Sequence, residues 1–184
     1  MKVKKTGIEG LLVIEPKVFE DSRGYFFESY RKDGLENEGV QCEFIQDNQS
    51  RSSYGVIRGL HYQKEPHAQT KLIRVTDGSI FDVAVDIRPA SPTFGQWFGL
   101  EISAENHLQL LIPKGFAHGF SVLSQQVTVF YKCDAYYHPE SESGIRYNDP
   151  NLKIDWQIKL KSAVISEKDM QLPFLKDLKI LNHE

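Results

Sequence analysis

The run KLIRVTDGSIFDVAVDIRP, residues 71–89, constrains the fold of this chain more than any other stretch. Side chains of a strand point alternately to opposite faces, so residues two apart share a face. In the second half of the run Phe81, Val83, Val85 and Ile87 form one apolar face. Ile80, Asp82, Ala84 and Asp86 form the other, a mixed face with two acids. The first half sets Lys71, Ile73 and Val75 in phase and ends at Asp77-Gly78, a dipeptide suited to a tight turn between strands. The two halves therefore predict a β-hairpin. The same period returns in HLQLLIPKGF, where Leu108, Leu110 and Ile112 share a face before Pro113. It returns again in QQVTVFYKCDAYY, where Val127, Val129 and Tyr131 stand opposite Thr128, Phe130 and Lys132. Helical signals are few. ESYRKDGLENEG suits a short helix ending near Gly39, and SEKDMQLPF opens on an N-cap serine, Ser166, with Asp169 three residues later. Many short strands with little helix predict an all-β sandwich or barrel.

The 184 residues suffice for one core-forming domain, expected over 1–184 with strands at its N-terminal end and a helical segment at its C-terminal end. No repeat, low-complexity tract or linker divides it. A net charge of −3 with the two signs interspersed argues against a nucleic-acid or membrane surface. No stretch approaches the roughly 20 apolar residues of a membrane span. MKVKKTGIEGLLVIEPKVFED carries only a short apolar run between Glu9 and Glu15, unlike a secretory signal. Cys42 and Cys133 have no CxxC spacing. They read as two buried thiols of a cytoplasmic protein, with a disulfide as the alternative.

Chemistry gathers in GVIRGLHYQ, residues 55–63. His61 admits three readings: a histidine satisfied by hydrogen bonds, a metal ligand, or a base. Gly59, His61 and Gln63 share a face by alternation, which leaves an imidazole room in a pocket. Arg58 lies three positions from His61, so a regular strand would point the two oppositely. Either Gly59 marks a bulge or Arg58 reaches round a rim. In PKGFAHGF, residues 113–120, Pro113 ends one strand, Gly115 permits a turn and His118 begins the next strand, aimed at a barrel mouth. This Pro-x-Gly-x-x-His resembles the second motif of the cupin superfamily, whose double-stranded β-helix is a jelly-roll barrel. Many cupins hold a metal through His-x-His and a later Glu. This chain has no His-x-His, and His61 and His67 are awkwardly spaced as joint ligands. No metal site and no cofactor are expected.

DSRGYFFE (21–28), QDNQSRSSYGVIRGLHYQ (46–63), KLIRV (71–75), GSIFDVAVDIRPASPTFG (78–95), PKGFAHGF and YYHPESESGIRYNDP (136–150) occur in one order. Together they resemble the dTDP-4-dehydrorhamnose 3,5-epimerases, a metal-free cupin family, from about residue 2 to residue 177. The resemblance implies inversion of the carbons C3 and C5 that flank the C4 ketone of a dTDP-linked 6-deoxyhexose. Such a reaction needs a base, a stabiliser for the enolate oxygen and an acid across the ring. It implies His61 as base and Asp169 as its partner, though Asp169 equally fits the first turn of a capped helix. Lys71 is implied at the enolate oxygen with His118 beside it, and Tyr131 as proton donor. Taken alone, Lys71 is a solvated lysine and Tyr131 a core tyrosine.

Arg23 and Arg58 suit the diphosphate, since guanidinium forks match phosphate oxygens. By resemblance Phe26, Glu28, Gln46, Asp47 and Asn48 contact the substrate, Tyr137 stacks on the base, and Glu142 and Lys168 add contacts. Arg23 and its neighbours are implied to come from the partner subunit of a homodimer. Three alternatives remain: an epimerase of one carbon only, a metal-dependent cupin isomerase or oxygenase, and a non-catalytic sugar-nucleotide binder.

Overall fold

The computed structural model describes residues 1–178; residues 179–184 of the expected domain lie outside them. In chain order the strands are β1 (Lys2–Lys5), β2 (Leu12–Glu15), β3 (Phe19–Asp21), β4 (Gly24–Phe26), β5 (Gln46–Ser53), β6 (Ile57–Gln63) and β7 (Lys71–Asp77). There follow β8 (Ser79–Asp86), β9 (Trp97–Ser103), β10 (Gln109–Ile112), β11 (Phe116–Val122), β12 (Gln126–Cys133) and β13 (Glu142–Gly144). One sheet has the order β1-β2-β10-β7-β12-β5 and the other β13-β6-β11-β8-β9, while β3 and β4 pair as a separate hairpin. The inward residues of both sheets meet in one core. Ile73, Val75, Leu110, Ile112, Val127 and Val129 come from the first sheet, and Ile80, Ala84, Ile102, Phe120 and Val122 from the second. The alternation in β7, β8, β10 and β12 thus closes a cupin-type jelly-roll barrel, as expected.

The predicted hairpin of residues 71–87 does not form. β7 pairs with β10 and β12, whereas β8 pairs with β11 and β9 in the opposite wall. Only Gly78 separates the two strands, too few residues for a two-residue hairpin loop. Gly78 has φ 76°, and a Cβ there would overlap Gln126 O and Ser124 Oγ. The chain turns a corner between walls, which lets Ile73 and Ile80 face one interior from opposite sides.

The wholly apolar face of β8 points out of the barrel. Val83, Val85 and Ile87 join Ile57, Leu60 and Tyr62 of β6 under Ile145, Leu152, Ile154 and Trp156. Hydrogen bonds pin this cover: the Trp156 indole N–H donates to Tyr147 O at 2.8 Å and that of Trp97 to Leu152 O at 2.8 Å. The cover delivers α2 (Glu167–Met170) to the barrel mouth, and Ser166 caps it by accepting the Asp169 N–H. On the other wall, Leu35 of α1 (Lys32–Glu36) covers Ile14, Leu72 and Leu111. Gly39, just past α1, has φ 81°, as a left-handed helix stop requires. Cys42 and Cys133 are unpaired, the first half-buried and the second buried.

Candidate active site

The site begins with an irregularity in β6. His61 lies opposite His118 of β11, but Arg58 lies opposite Phe120, so three steps on one strand match two on the other. This is a β-bulge. Gly59 at its centre has φ 114°, and a Cβ there would come within 2.6 Å of Gly119 Cα and 2.7 Å of His118 O. Only glycine fits. The extra residue turns Arg58 onto the inward side, where it lines one cavity of about 470 Å³ with His61, Lys71, His118, Tyr131 and Asp169.

His61 Nε2 lies 2.9 Å from Asp169 Oδ1. An ionised carboxylate only accepts, so Nε2 carries the proton and Nδ1 is left as the basic nitrogen. Asp169 Oδ2 accepts the Gly59 N–H at 3.1 Å. The cap and the dyad do not compete, because the cap uses the Asp169 N–H, at 3.1 Å from Ser166 Oγ, and leaves the carboxylate free for His61. Burial raises the pKa of Asp169, but the His61 hydrogen bond and charge, with the Gly59 N–H, outweigh it and hold the group below the ordinary range.

Lys71 is half-buried and, among the described residues, makes no hydrogen bond or ion pair. Burial pulls its ammonium below the ordinary lysine range, opposed by the charges of Cys133, Glu142 and Asp82. Beside it His118 Nε2 lies 2.7 Å from Asp82 Oδ1. Asp82 is fully buried, and its Oδ2 has no partner among the described residues. Burial pushes the Tyr131 phenol up, so it stays protonated at neutral pH. Arg58 Nε donates to Ser52 Oγ at 2.9 Å.

A second cavity, of about 260 Å³, shares His61, Lys71 and Tyr131 with the first and adds Gln46, Asn48, Gln63, Gln69, Tyr137 and Glu142. At its edge Glu142 Oε2 accepts from the Tyr137 hydroxyl at 2.6 Å and from Lys168 Nζ at 2.6 Å. The two cavities adjoin at His61, Lys71 and Tyr131, which line both and make them one cleft.

Four expected site residues lie elsewhere in this chain. Asp47 alternates with Gln46 and Asn48, so it faces outward and pairs with Lys132 Nζ at 2.9 Å. Arg23 sits on the β3–β4 hairpin with its side chain 88% exposed, held by Asp21 at 2.6 Å. Phe26 on the same hairpin is 66% exposed. Glu28 lies just beyond it, 3.6 Å from Arg31. Three residues were not foreseen as site residues: Gln63 and Gln69, which line the smaller cavity, and Asp82, which is buried behind His118. Asp82 had a signal, being an acid in phase with Ile80 and Ala84. Among the described residues no three His, Cys, Asp or Glu side chains group as a metal site would need.

A family model described as dTDP-4-dehydrorhamnose 3,5-epimerase matches residues 5–177. An Escherichia coli protein of that name is 51% identical over 97% of this chain and 96% of its own length. A crystal structure of the same-named protein from Elizabethkingia anophelis superposes with TM-score 0.93 at 51% identity, covering 96% of this chain and 97% of that one. A Legionella pneumophila dTDP-6-deoxy-D-glucose-3,5-epimerase, solved in complex with dTDP-4-keto-L-rhamnose, gives TM-score 0.92 at 50% identity over 96% and 94% of the chains. With its barrel and nearly its whole length in agreement, this chain belongs to the dTDP-4-dehydrorhamnose 3,5-epimerase family.

Proposed function

We propose that this protein converts dTDP-4-dehydro-6-deoxy-D-glucose to dTDP-4-dehydro-L-rhamnose by inverting C3 and C5. The observation that carries the reading is the convergence of the His61–Asp169 dyad, Lys71 and Tyr131 on one cavity. His61 Nδ1 takes the proton alpha to the ketone, and Asp169 stabilises the imidazolium that results. The electron pair moves to O4 as an enolate, where the Lys71 ammonium and His118 receive the charge in a partly desolvated site. The Tyr131 hydroxyl returns a proton to the other face of the carbon. Exchange with solvent then resets both groups. The same sequence serves the second carbon, since both flank one ketone.

Arg58 takes the diphosphate, and the smaller cavity takes the nucleoside, with Tyr137 against the base and Gln46 and Asn48 beside it. Arg23, Phe26 and Glu28 serve the cleft of a second copy, so the working unit is a homodimer. The exposed Phe19, Tyr25 and Phe26 of the hairpin support this assembly. The unpaired thiols support a cytoplasmic location. Incubation with the 4-keto sugar nucleotide in deuterated water tests the reaction: label should enter at both C3 and C5. Label at one carbon alone would identify a single-position epimerase. Tight binding without exchange would leave only a sugar-nucleotide-binding protein.

A further inference from the structure

Three glutamines in the smaller cavity converge on four consecutive residues of backbone. Gln69 Nε2 donates to Ala135 O at 2.8 Å. Gln63 Nε2 donates to Tyr136 O at 3.2 Å and also to His67 O at 2.7 Å. Gln46 Oε1 accepts the Tyr137 N–H at 3.0 Å, and Gln63 Oε1 accepts the His138 N–H at 2.6 Å. The imidazoles of His67 and His138 stack with centroids 3.9 Å apart and planes 5° from parallel, tying the same two segments together.

Tyr137 is therefore held at both ends, by its amide and by the hydroxyl that Glu142 accepts. Its side chain nevertheless leaves the residue 51% exposed. Fixing an exposed aromatic costs conformational entropy without the return of core burial, and that cost is recovered when a planar ligand meets a surface already in place. Gln63 uses both N–H groups and its carbonyl oxygen on backbone. It has no donor left for a ligand, so its part is positioning rather than contact.

We infer that Gln46, Gln63 and Gln69 form a clamp that holds segment 135–138 so that Tyr137 meets the substrate's nucleobase as a fixed stacking platform. Gln63 and Gln69 are thus positioning residues for the nucleoside half of the substrate, Gln63 at the end of the strand that carries His61 and Gln69 in the loop before β7. The inference rests on reading the smaller cavity as the nucleoside subsite.

Calorimetric titration of thymidine diphosphate and of inorganic pyrophosphate into the full chain tests it, using Gln63→Met, Gln69→Met and Tyr137→Ala. Each variant should weaken thymidine diphosphate by roughly tenfold, the scale of one or two hydrogen bonds' worth of lost order. Pyrophosphate affinity should not change. In turnover KM should rise more than kcat falls, whereas general loosening of the barrel would lower kcat and pyrophosphate affinity as well. Weakening in Tyr137→Ala with unchanged affinity in both glutamine variants overturns the clamp and leaves the nucleoside reading standing. Unchanged affinity in Tyr137→Ala overturns both. Gln63 is only 7% exposed, so should Gln63→Met not fold, the half-buried Gln69→Met decides the matter.

Discussion

Asparagine at position 169 should harm the enzyme more than alanine does. In the wild-type protein one oxygen of Asp169 accepts from His61 Nε2 at 2.9 Å and the other from the Gly59 N–H at 3.1 Å. Asp169→Asn must present its oxygen to one of these and its NH2 to the other. The Gly59 N–H is a fixed donor, so the oxygen goes there and the NH2 faces Nε2. The imidazole then accepts at Nε2 and carries its proton on Nδ1, the atom that should take the substrate proton. Reaching the productive tautomer requires the amide to flip, setting two donors against each other at Gly59. An unmade buried hydrogen bond costs about 1–3 kcal/mol, and losing the charge-assisted bond to the imidazolium about 1.5–3 kcal/mol. Together these amount to about 2.5–6 kcal/mol, a fall of roughly 10²- to 10⁴-fold in the exchange rate. Asp169→Ala loses the second quantity alone, because its unmet Gly59 N–H is the same before and during proton transfer. It should fall roughly ten- to 150-fold. Both variants keep the helix cap, which uses the backbone N–H of residue 169, but only asparagine still accepts the Gly59 N–H, so the alanine variant should melt lower although it is the more active. The assay is solvent deuterium entry at C3 and C5 under single-turnover conditions. Asparagine as active as alanine, or more active, would refute the assignment of Nδ1 as the base.

Lys71→Met should slow deuterium entry by roughly 10²- to 10³-fold, as removal of a preorganised oxyanion partner does. Burial lowers the Lys71 pKa, so wild-type kcat should decline with rising pH before the ordinary lysine range is reached, and the methionine variant should lack that limb. Tyr131→Phe should slow net epimerisation more than the first deuterium exchange, since proton removal precedes its part; an equal fall in both would reject Tyr131 as the donor. Asp86 is fully buried; burial raises its pKa, but hydrogen bonds from Arg88, Ser91 and Thr93 prevail and hold it at about 2. Its contribution, on the order of 2 kcal/mol, is complete above the ordinary carboxylate range and is lost as the pH falls toward 2. Asp86→Asn should therefore melt well below the wild type at pH 7, and the gap should narrow through pH 4 and below; a constant gap would rule out the charge as the cause.

Alternation in β7, β8, β10 and β12 was legible because one face of each meets an apolar core. β5 was not read as a strand, although it is long. Its inward residues are Gln46, Asn48, Ser50 and Ser52, and three of these line the cleft rather than the core. A strand whose inner face is polar shows no hydrophobic period. The cover of residues 145–178 was equally hidden apart from its short helix, since Ile145, Leu152 and Trp156 follow no regular spacing and pack as a loop on β6 and β8. The 71–87 corner differs from the expected hairpin because Asp-Gly marks a turn without saying whether the strands it joins pair with each other. Motif resemblance pointed to His61, Lys71, Tyr131 and Asp169, which the fold brings to one cavity, and the spacing of Arg58 and His61 about Gly59 offered the bulge as one of two readings, the one the register against β11 shows.

The inward-facing rows also show how one alternation serves both stability and chemistry. In β7 the row reads Lys71, Ile73, Val75, and in β12 it reads Tyr131, Val129, Val127; in each the polar member lies in the cleft and the apolar members lie in the core. β11 repeats this with His118, then Phe120 and Val122. Face decides whether a residue points inward, but position along the strand decides whether inward means core or cleft. A lone lysine, tyrosine or histidine in phase with aliphatic residues at one end of a run therefore marks the open end of the barrel. Three such residues from three strands can meet only if their polar ends lie at the same rim, and the antiparallel order of β7 and β12 permits it, since Lys71 starts its strand and Tyr131 lies near the end of its own. Lys71 faces Cys133 across that pairing and Tyr131 faces Ile73. Moving either strand by one residue would send all its inward residues to the outer face. The register that buries the core is thus the same register that brings Lys71, Tyr131 and His118 to one rim, and neither can be altered without the other.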